Sequence, residues 1–314
     1  METKSENPVP FANGFHQSAK VELHVEAPGA VARPQLCRLS DLLDDWEKEA
    51  HEAYEARING QQRGPITGLA TLDADLGGAL WSGLYIVHGQ PGAGKTAFGL
   101  QIAAMCGVPA LFVSCEMAPL ELLRRHTARV TGTFLQRLRS GEMRPHESVQ
   151  LARRAIAAAP QLALIDATRC PAPPAYLLDC MRIVRGEEPH FLLVIDSAQS
   201  WAESMNTGAS EYETLNAGLA ALRNLAHSLN CPVLAISERN RESMSSGGLS
   251  AGAGSRKIEY GAEAILDLGR EPDARPDLTG EVPVKLRLAK NRQGAPGKSM
   301  TLSFNGALQR FKVV

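Results

Sequence analysis

From Ile66 to the C-terminus, short apolar runs alternate with stretches of helical periodicity. The runs are LYIVH (84–88), ALFVS (110–114), LALI (162–165), FLLVI (191–195), VLAI (233–236), AILDL (264–268), VKLRLA (284–289) and MTLSF (300–304). Several are apolar throughout, the pattern of strands covered on both faces in a parallel sheet. Helical stretches at 95–106, 118–130, 147–158, 174–185 and 211–229 separate the first five. This alternation predicts an α/β fold with a mostly parallel sheet. The last strands follow one another closely, which predicts antiparallel hairpins at one edge.

Two segments precede this core. Residues 1–36 are polar, contain Pro and Gly, and show no period, so we expect a disordered arm. Over 40–58, Leu42, Leu43, Trp46, Ala50, Ala53, Tyr54 and Ile58 recur at helical spacing. Ser40 is placed to cap this helix, Asp41 and Asp44 suit its first turn, and Gly60 ends it before the polar link QQRGP. Its apolar stripe packs either on its own domain or on a neighbouring subunit.

Composition narrows the partners. The 314 residues carry a formal net charge of −1, without the basic excess of a protein that coats nucleic acid. A nucleic-acid surface must then be local or assembled from several subunits. The six cysteines form no C-x-x-C pair, which argues against a zinc ribbon or disulfide framework. METKSENPVPFANGFHQ lacks the features of a signal peptide, and no apolar run approaches ~20 residues, so we expect a cytoplasmic protein without a membrane span.

The strongest chemical signal is Gly89, Gln90, Pro91, Gly92, Ala93, Gly94, Lys95 and Thr96. It fits G-x-x-x-x-G-K-[ST] directly after an apolar run and at the start of a helix. Glycines let successive N–H groups point at phosphate oxygens, and the helix start adds positive potential. Lys95 is expected on the β- and γ-phosphates of ATP and the Thr96 hydroxyl on Mg²⁺. Asp196 ends the run FLLVI, where a carboxylate lies beside such a loop and can hold the Mg²⁺ shell. Glu116 closes ALFVSCEM, where it either activates water or merely opens the next helix. Lys290 and Arg292 stand two apart in LAKNRQG, and alternation along an extended segment puts both on one side. They form either a solvated turn or a pair that reaches another subunit's nucleotide.

Several segments together carry a resemblance. ITGLATLDADLGGALWSGLYIVHGQPGAGKTAFGLQIA, SCEMAPLELLRR, QRLRSGEM, LLVIDSAQS, AISERNR and AKNRQG resemble, in order, the ATPase domain of replicative hexameric helicases of the DnaB type. The resemblance runs from about residue 40 to the end and implies a RecA-like P-loop core, residues 65–314, that assembles into a ring. It implies ATP and Mg²⁺ as cofactors, Glu116 as the catalytic carboxylate and Asp196 as the Mg²⁺-linked one. It also implies that Lys290 and Arg292 act on the neighbour's nucleotide, and that residues 37–64 form a linker helix docking on the adjacent subunit.

Three departures stand out. The family's primase-contacting helical domain has no counterpart in residues 1–36. The sensor position, usually Gln, corresponds to Glu238, whose carboxylate would be repelled by a γ-phosphate unless protonated or paired with Arg239 or Arg241. The loop that grips single-stranded DNA corresponds to 241–257, which is rich in Gly and Ser, with Arg256 and Lys257 as its late cations and no aromatic platform. It is either a flexible loop without grip or a phosphate-tracking loop in six staggered copies. The expected function is that of a ring-forming, hexameric helicase or translocase on single-stranded DNA, with a loader or replication protein as a further partner. The alternative is a P-loop ATPase that remodels or loads a protein without unwinding DNA.

Overall fold

The computed structural model describes residues 36–205, 208–238, 261–270 and 274–314. All but the last residue of the expected arm lies outside them, as does the loop 241–257. The chain divides into a unit ending at His51 and a second from Glu52 to Val314.

A 3₁₀ turn (Leu39–Leu42) in the first unit leads into helix α1 (Leu43–Ile58), whose residues from Glu52 on belong to the second. Ser40, expected as the cap, lies inside that turn and donates to Asp41 at 3.2 Å. Arg38 is the N-cap instead, and Asp41, at the third position of the turn, accepts its N–H at 3.0 Å, where a carboxylate suits the positive helix start. In the second unit, the Gln62 side chain ties the following link to the core by donating to the carbonyls of Gly64 (2.5 Å) and Cys106 (2.6 Å).

The strands are β1 (Gly83–Gly89), β2 (Ala110–Ser114), β3 (Leu162–Asp166), β4 (Leu192–Asp196), β5 (Pro232–Glu238), β6 (Ala264–Arg270), β7 (Glu281–Asn291), β8 (Ser299–Asn305) and β9 (Arg310–Val313). They form one sheet in the order β3-β2-β4-β5-β1-β6-β7-β8-β9. β3 through β6 pair in parallel, and β6 through β9 pair antiparallel. This is the expected mostly parallel sheet with hairpins at one edge. Around it lie α2 (Ala70–Asp75), α3 (Lys95–Met105), α4 (Pro119–Thr131), α5 (Pro145–Ala157), α6 (Pro174–Arg185), α7 (Ala198–Ser204) and α8 (Glu211–Ser228). The sequence pattern misses α2, α7 and β9, which are too short to show a period.

Each face of the sheet has its own core. On one, Phe98, Leu100 and Ile102 of α3 pack over β1, β4 and β5. A Cβ on Gly99 would stand 2.6 Å from Ile236 Cδ1, so glycine is what lets α3 lie this close to the sheet. On the other, Trp201, Leu222 and Met181 are fully buried. The Trp201 indole N–H donates to Ala172 O at 2.8 Å, fixing α7 against the sheet despite its seven residues. The C-terminal hairpin joins the first core. Phe311 stacks on Phe304 (centroids 4.4 Å apart) and meets Phe98 edge-on, while Gln101 exchanges two hydrogen bonds with the Phe311 backbone.

None of the cysteines is in a disulfide, and burial pushes the thiols of Cys106 and Cys231 up to about 11 and about 12. That suits inert packing residues. No described helix is long and apolar enough to cross a membrane.

Candidate functional site

The parallel register sets the site. At the carboxyl ends of neighbouring strands, Gly89 of β1 pairs with Glu238 of β5, Asp196 of β4 with Ile236 of β5, and Ser114 of β2 with Asp196. Strands lie about 4.8 Å apart, so the loops leaving β1, β5, β4 and β2 open into one cleft. This cleft, about 350 Å³, is lined by Gly92, Gly94, Lys95, Thr96, Glu116, Asp196 and Glu238, among others. Every sequence-expected residue of the phosphate and metal group therefore lies in or beside it.

The Gly89–Thr96 loop turns at Gly92 (φ 80°) and Gly94 (φ 88°), and Gly94 caps α3 in the left-handed conformation. Space is closed there as well: a Cβ on Gly94 would stand 2.9 Å from Phe311 and 3.0 Å from Phe304. The C-terminal aromatic stack thus forms the floor of the loop. Lys95 folds back along it, donating to Gly89 O (3.0 Å) and Gln90 O (3.3 Å), with the Glu238 carboxylate 3.7 Å away.

Asp196 is 3% exposed. Burial pushes its carboxyl up to about 6, opposed by a hydrogen bond from Thr96. The neighbouring Glu116 charge raises it further, while Lys95 and Arg125 lower it. Glu116 lies past the end of β2 rather than within it, because the strand stops at Ser114. Its Oε1 accepts from Ser197 Oγ (2.5 Å) and Ser200 Oγ (2.9 Å). Ser197 also caps α7, accepting the Ser200 N–H at 3.3 Å. On the same helix Gln199 exchanges hydrogen bonds with the Glu238 backbone (3.2 and 3.3 Å) and donates to Ser237 Oγ at 2.8 Å.

Sequence reading missed Ser197, Gln199 and Ser200, although SAQS follows Asp196 directly. It also missed Arg125, which lines the cleft, bonds to Gln309 and pairs with Glu121 at 3.1 Å. Only the fold brings residues 125 and 309 together. Among the described residues, no group of three or more His, Cys, Asp or Glu side chains could hold a metal ion by itself.

Lys290 and Arg292 are not in this cleft. β7 runs antiparallel, so its end lies at the opposite end of the sheet. The Arg292 N–H donates to Glu263 O (2.9 Å), and the Glu263 N–H to Leu84 O (2.7 Å), near the start of β1. Five strand residues, about 16 Å, separate Leu84 from Gly89. Lys290 is the penultimate residue of β7, just after a bulge that interrupts its pairing with β6. Arg292 lies beyond the strand in a turn, so simple alternation does not aim it. A salt bridge from Nη1 to Glu263 Oε1 (3.0 Å) does. Asn291 and Lys298 fasten the same turn to Asp75, at 2.8 and 2.5 Å. Arg256 and Lys257 lie outside the described residues.

Comparison with known proteins gives the family and the fold. The model of the DnaB-like helicase C terminal domain matches residues 64–313. The chain is 30% identical over 283 residues to the replicative DNA helicase DnaB of Treponema pallidum (strain Nichols), covering 87% of this chain and 61% of that protein. With the replicative DNA helicase DnaB of Geobacillus stearothermophilus it shares 26% over 266 residues, 81% of this chain and 57% of that one. The chain thus spans about 60% of the length of these relatives. Among solved structures, one ATPase domain superposes with a TM-score of 0.72 at 21% identity, covering 87% of this chain and 98% of that domain. A DnaB-like replicative helicase, studied with its interactions with primase, gives 0.70 at 20% identity, covering 88% and 67%. At these identities the superpositions bear on the fold, which is RecA-like.

Proposed function

This chain belongs to the DnaB-like helicase C-terminal domain family, and on that premise we propose that it is the ATP-driven motor of a ring-forming DNA helicase acting on single-stranded DNA. The observation that supports this reading is the convergence of Lys95, Thr96, Asp196 and Glu116 in one cleft at the ends of adjacent strands.

In this proposal the N–H groups of the Gly89–Thr96 loop and the Lys95 ammonium bind the triphosphate. Thr96 and Asp196 hold Mg²⁺. Their oxygens suit a hard cation, and Asp196 is a buried carboxylate beside the Thr96 hydroxyl. When bound, Mg²⁺ neutralises charge building on the phosphate oxygens. Glu116, oriented by two serine hydroxyls, positions and deprotonates the attacking water.

Lys290 and Arg292 act on a neighbour's nucleotide. Their place on β7, level with the first half of β1 rather than with the loop at its end, supports this. Activity then requires an oligomer, by family resemblance a hexamer. Residues 37–64 serve as the linker that docks on the adjacent subunit. The exposed Tyr54 and Ile58 on the second half of α1 support that role. Arg256 and Lys257 contact the DNA strand, and a loader or replication protein is a further partner.

The test is the ATPase rate with and without single-stranded DNA, on protein sized by light scattering with Mg²⁺ and nucleotide, followed by strand displacement on a forked duplex. DNA-stimulated turnover on a hexamer-sized species, with unwinding, is the expected result. DNA-independent turnover without unwinding overturns it in favour of an ATPase that remodels a protein.

A further inference from the structure

A lysine ammonium has three N–H donors. Around Lys95, three acceptors of its own chain stand ready: the carbonyls of Gly89 and Gln90 and the carboxylate of Glu238. The two carbonyls belong to the loop itself, whereas Glu238 approaches from β5 and lines the cleft. Its backbone is held at both N–H and C=O by Gln199, but its side chain is 55% exposed. The Lys95 side chain, by contrast, is only 10% exposed. A phosphate oxygen reaching Lys95 from the cleft meets the carboxylate on its way.

We propose that Glu238 is a built-in competitor for the phosphate position on Lys95, and that it sets the preference of the site between nucleoside triphosphate and diphosphate. The inference rests on Gly89–Thr96 being the phosphate site and goes beyond it. Binding exchanges one anionic oxygen on Lys95 for another. Because Gln199 holds the Glu238 backbone in place, the displaced carboxylate stays at the mouth of the cleft, where it opposes the charge of the terminal phosphate. A diphosphate lacks that terminal charge and meets less opposition. Gln199 lies between Ser197 and Ser200, both of which hold Glu116. The residue that yields to the triphosphate is therefore joined through one short turn to the carboxylate proposed to activate water. Glu238→Gln keeps the shape and one acceptor oxygen and removes the charge.

The experiment titrates fluorescent ATP and ADP analogues with Mg²⁺ against the native chain, Glu238→Gln and Lys95→Ala, at low and high salt. Glu238→Gln is expected to tighten triphosphate binding about 5-fold, the upper end for a solvent-screened charge contact, and diphosphate binding less than about 2-fold. That difference shrinks as salt is raised, which a purely steric role would not produce. Unchanged or weaker triphosphate binding by Glu238→Gln, or equal tightening for both nucleotides, overturns the inference while Lys95→Ala still loses affinity. If Lys95→Ala binds both nucleotides as the native chain does, the phosphate-site reading itself fails, and the inference falls with it.

Discussion

Arg292 donates from Nη1 to Glu263 Oε1 at 3.0 Å within its own chain, and its backbone N–H reaches the carbonyl of the same glutamate at 2.9 Å. The residue proposed to serve a neighbour is thus gripped twice by Glu263, once through its side chain and once through its backbone, at the end of the sheet opposite the phosphate loop. A half-exposed arginine has many rotamers, and this grip removes most of them before any neighbour arrives.

Two variants separate action on the neighbour from action on the same chain. Arg292→Ala and Lys95→Ala are each expected to lose hydrolysis, the first while keeping nucleotide binding. Mixed in one oligomer, an intact loop on one subunit meets an intact Arg292 on the next, and part of the ATPase rate returns. Absence of any recovery in a mixed oligomer of verified composition would rule out action between subunits.

Glu116→Gln keeps the two serine hydrogen bonds and removes the base. We expect kcat to fall by roughly 10²–10⁴-fold with little change in nucleotide affinity. Single-turnover hydrolysis and equilibrium binding, measured together, check the split. A parallel loss of affinity would place Glu116 in binding instead.

Gly94→Ala introduces a Cβ at φ 88°, 2.9 Å from Phe311 and 3.0 Å from Phe304. The strain is expected to cost about 1–3 kcal/mol and to disturb the loop above the aromatic pair. Urea unfolding gives the first effect and ATP binding the second. Phe311→Ala should cost more, about 3–5 kcal/mol, because it empties the space between Phe98 and Phe304.

Two buried groups make acid stability a matter of opposing signs. His126 sits on α4 with Nε2 2.9 Å from Ala155 O and Nδ1 3.2 Å from Arg129, and burial pushes it down to about 4. The unfolded chain binds its proton first, so this histidine's contribution is complete above pH 6.5 and is lost towards pH 4, up to about 3 kcal/mol. Asp196, held up at about 6, acts in reverse: the folded chain binds its proton first, so stability rises by up to about 3 kcal/mol from pH 6 towards pH 4. In metal-free buffer these two slopes offset. His126→Gln should therefore gain stability on acidification from pH 6 to 4.5, and Asp196→Asn should lose it. Denaturant midpoints at three pH values distinguish the two, and identical slopes in both variants would refute the assignment.

Much of the protein is legible from the chain. Apolar runs such as LLVID and ALFVS have one physical use, as strands covered on both faces, and the glycines of 89–94 with Lys95 and Thr96 have one common chemistry. Both are local properties, set by side-chain hydrophobicity and backbone freedom over a few residues. β1 to β8 are legible for that reason, and so is the loop; β9 is too short.

The tertiary structure decided what depends on distant residues meeting. It made Glu238 a partner of Lys95, because β5 lies beside β1; Arg239 and Arg241, the partners the sequence suggested, lie outside the described residues. It set Ser197 and Ser200 on Glu116 through the adjacency of β2 and β4, and it laid Phe304 and Phe311 beneath Gly94 from the far end of the chain. It also carried Arg292 to the end of the sheet opposite its own loop, by running β7 antiparallel to β6. Strand order and direction are fixed by how the whole core packs, and no window of sequence contains that information.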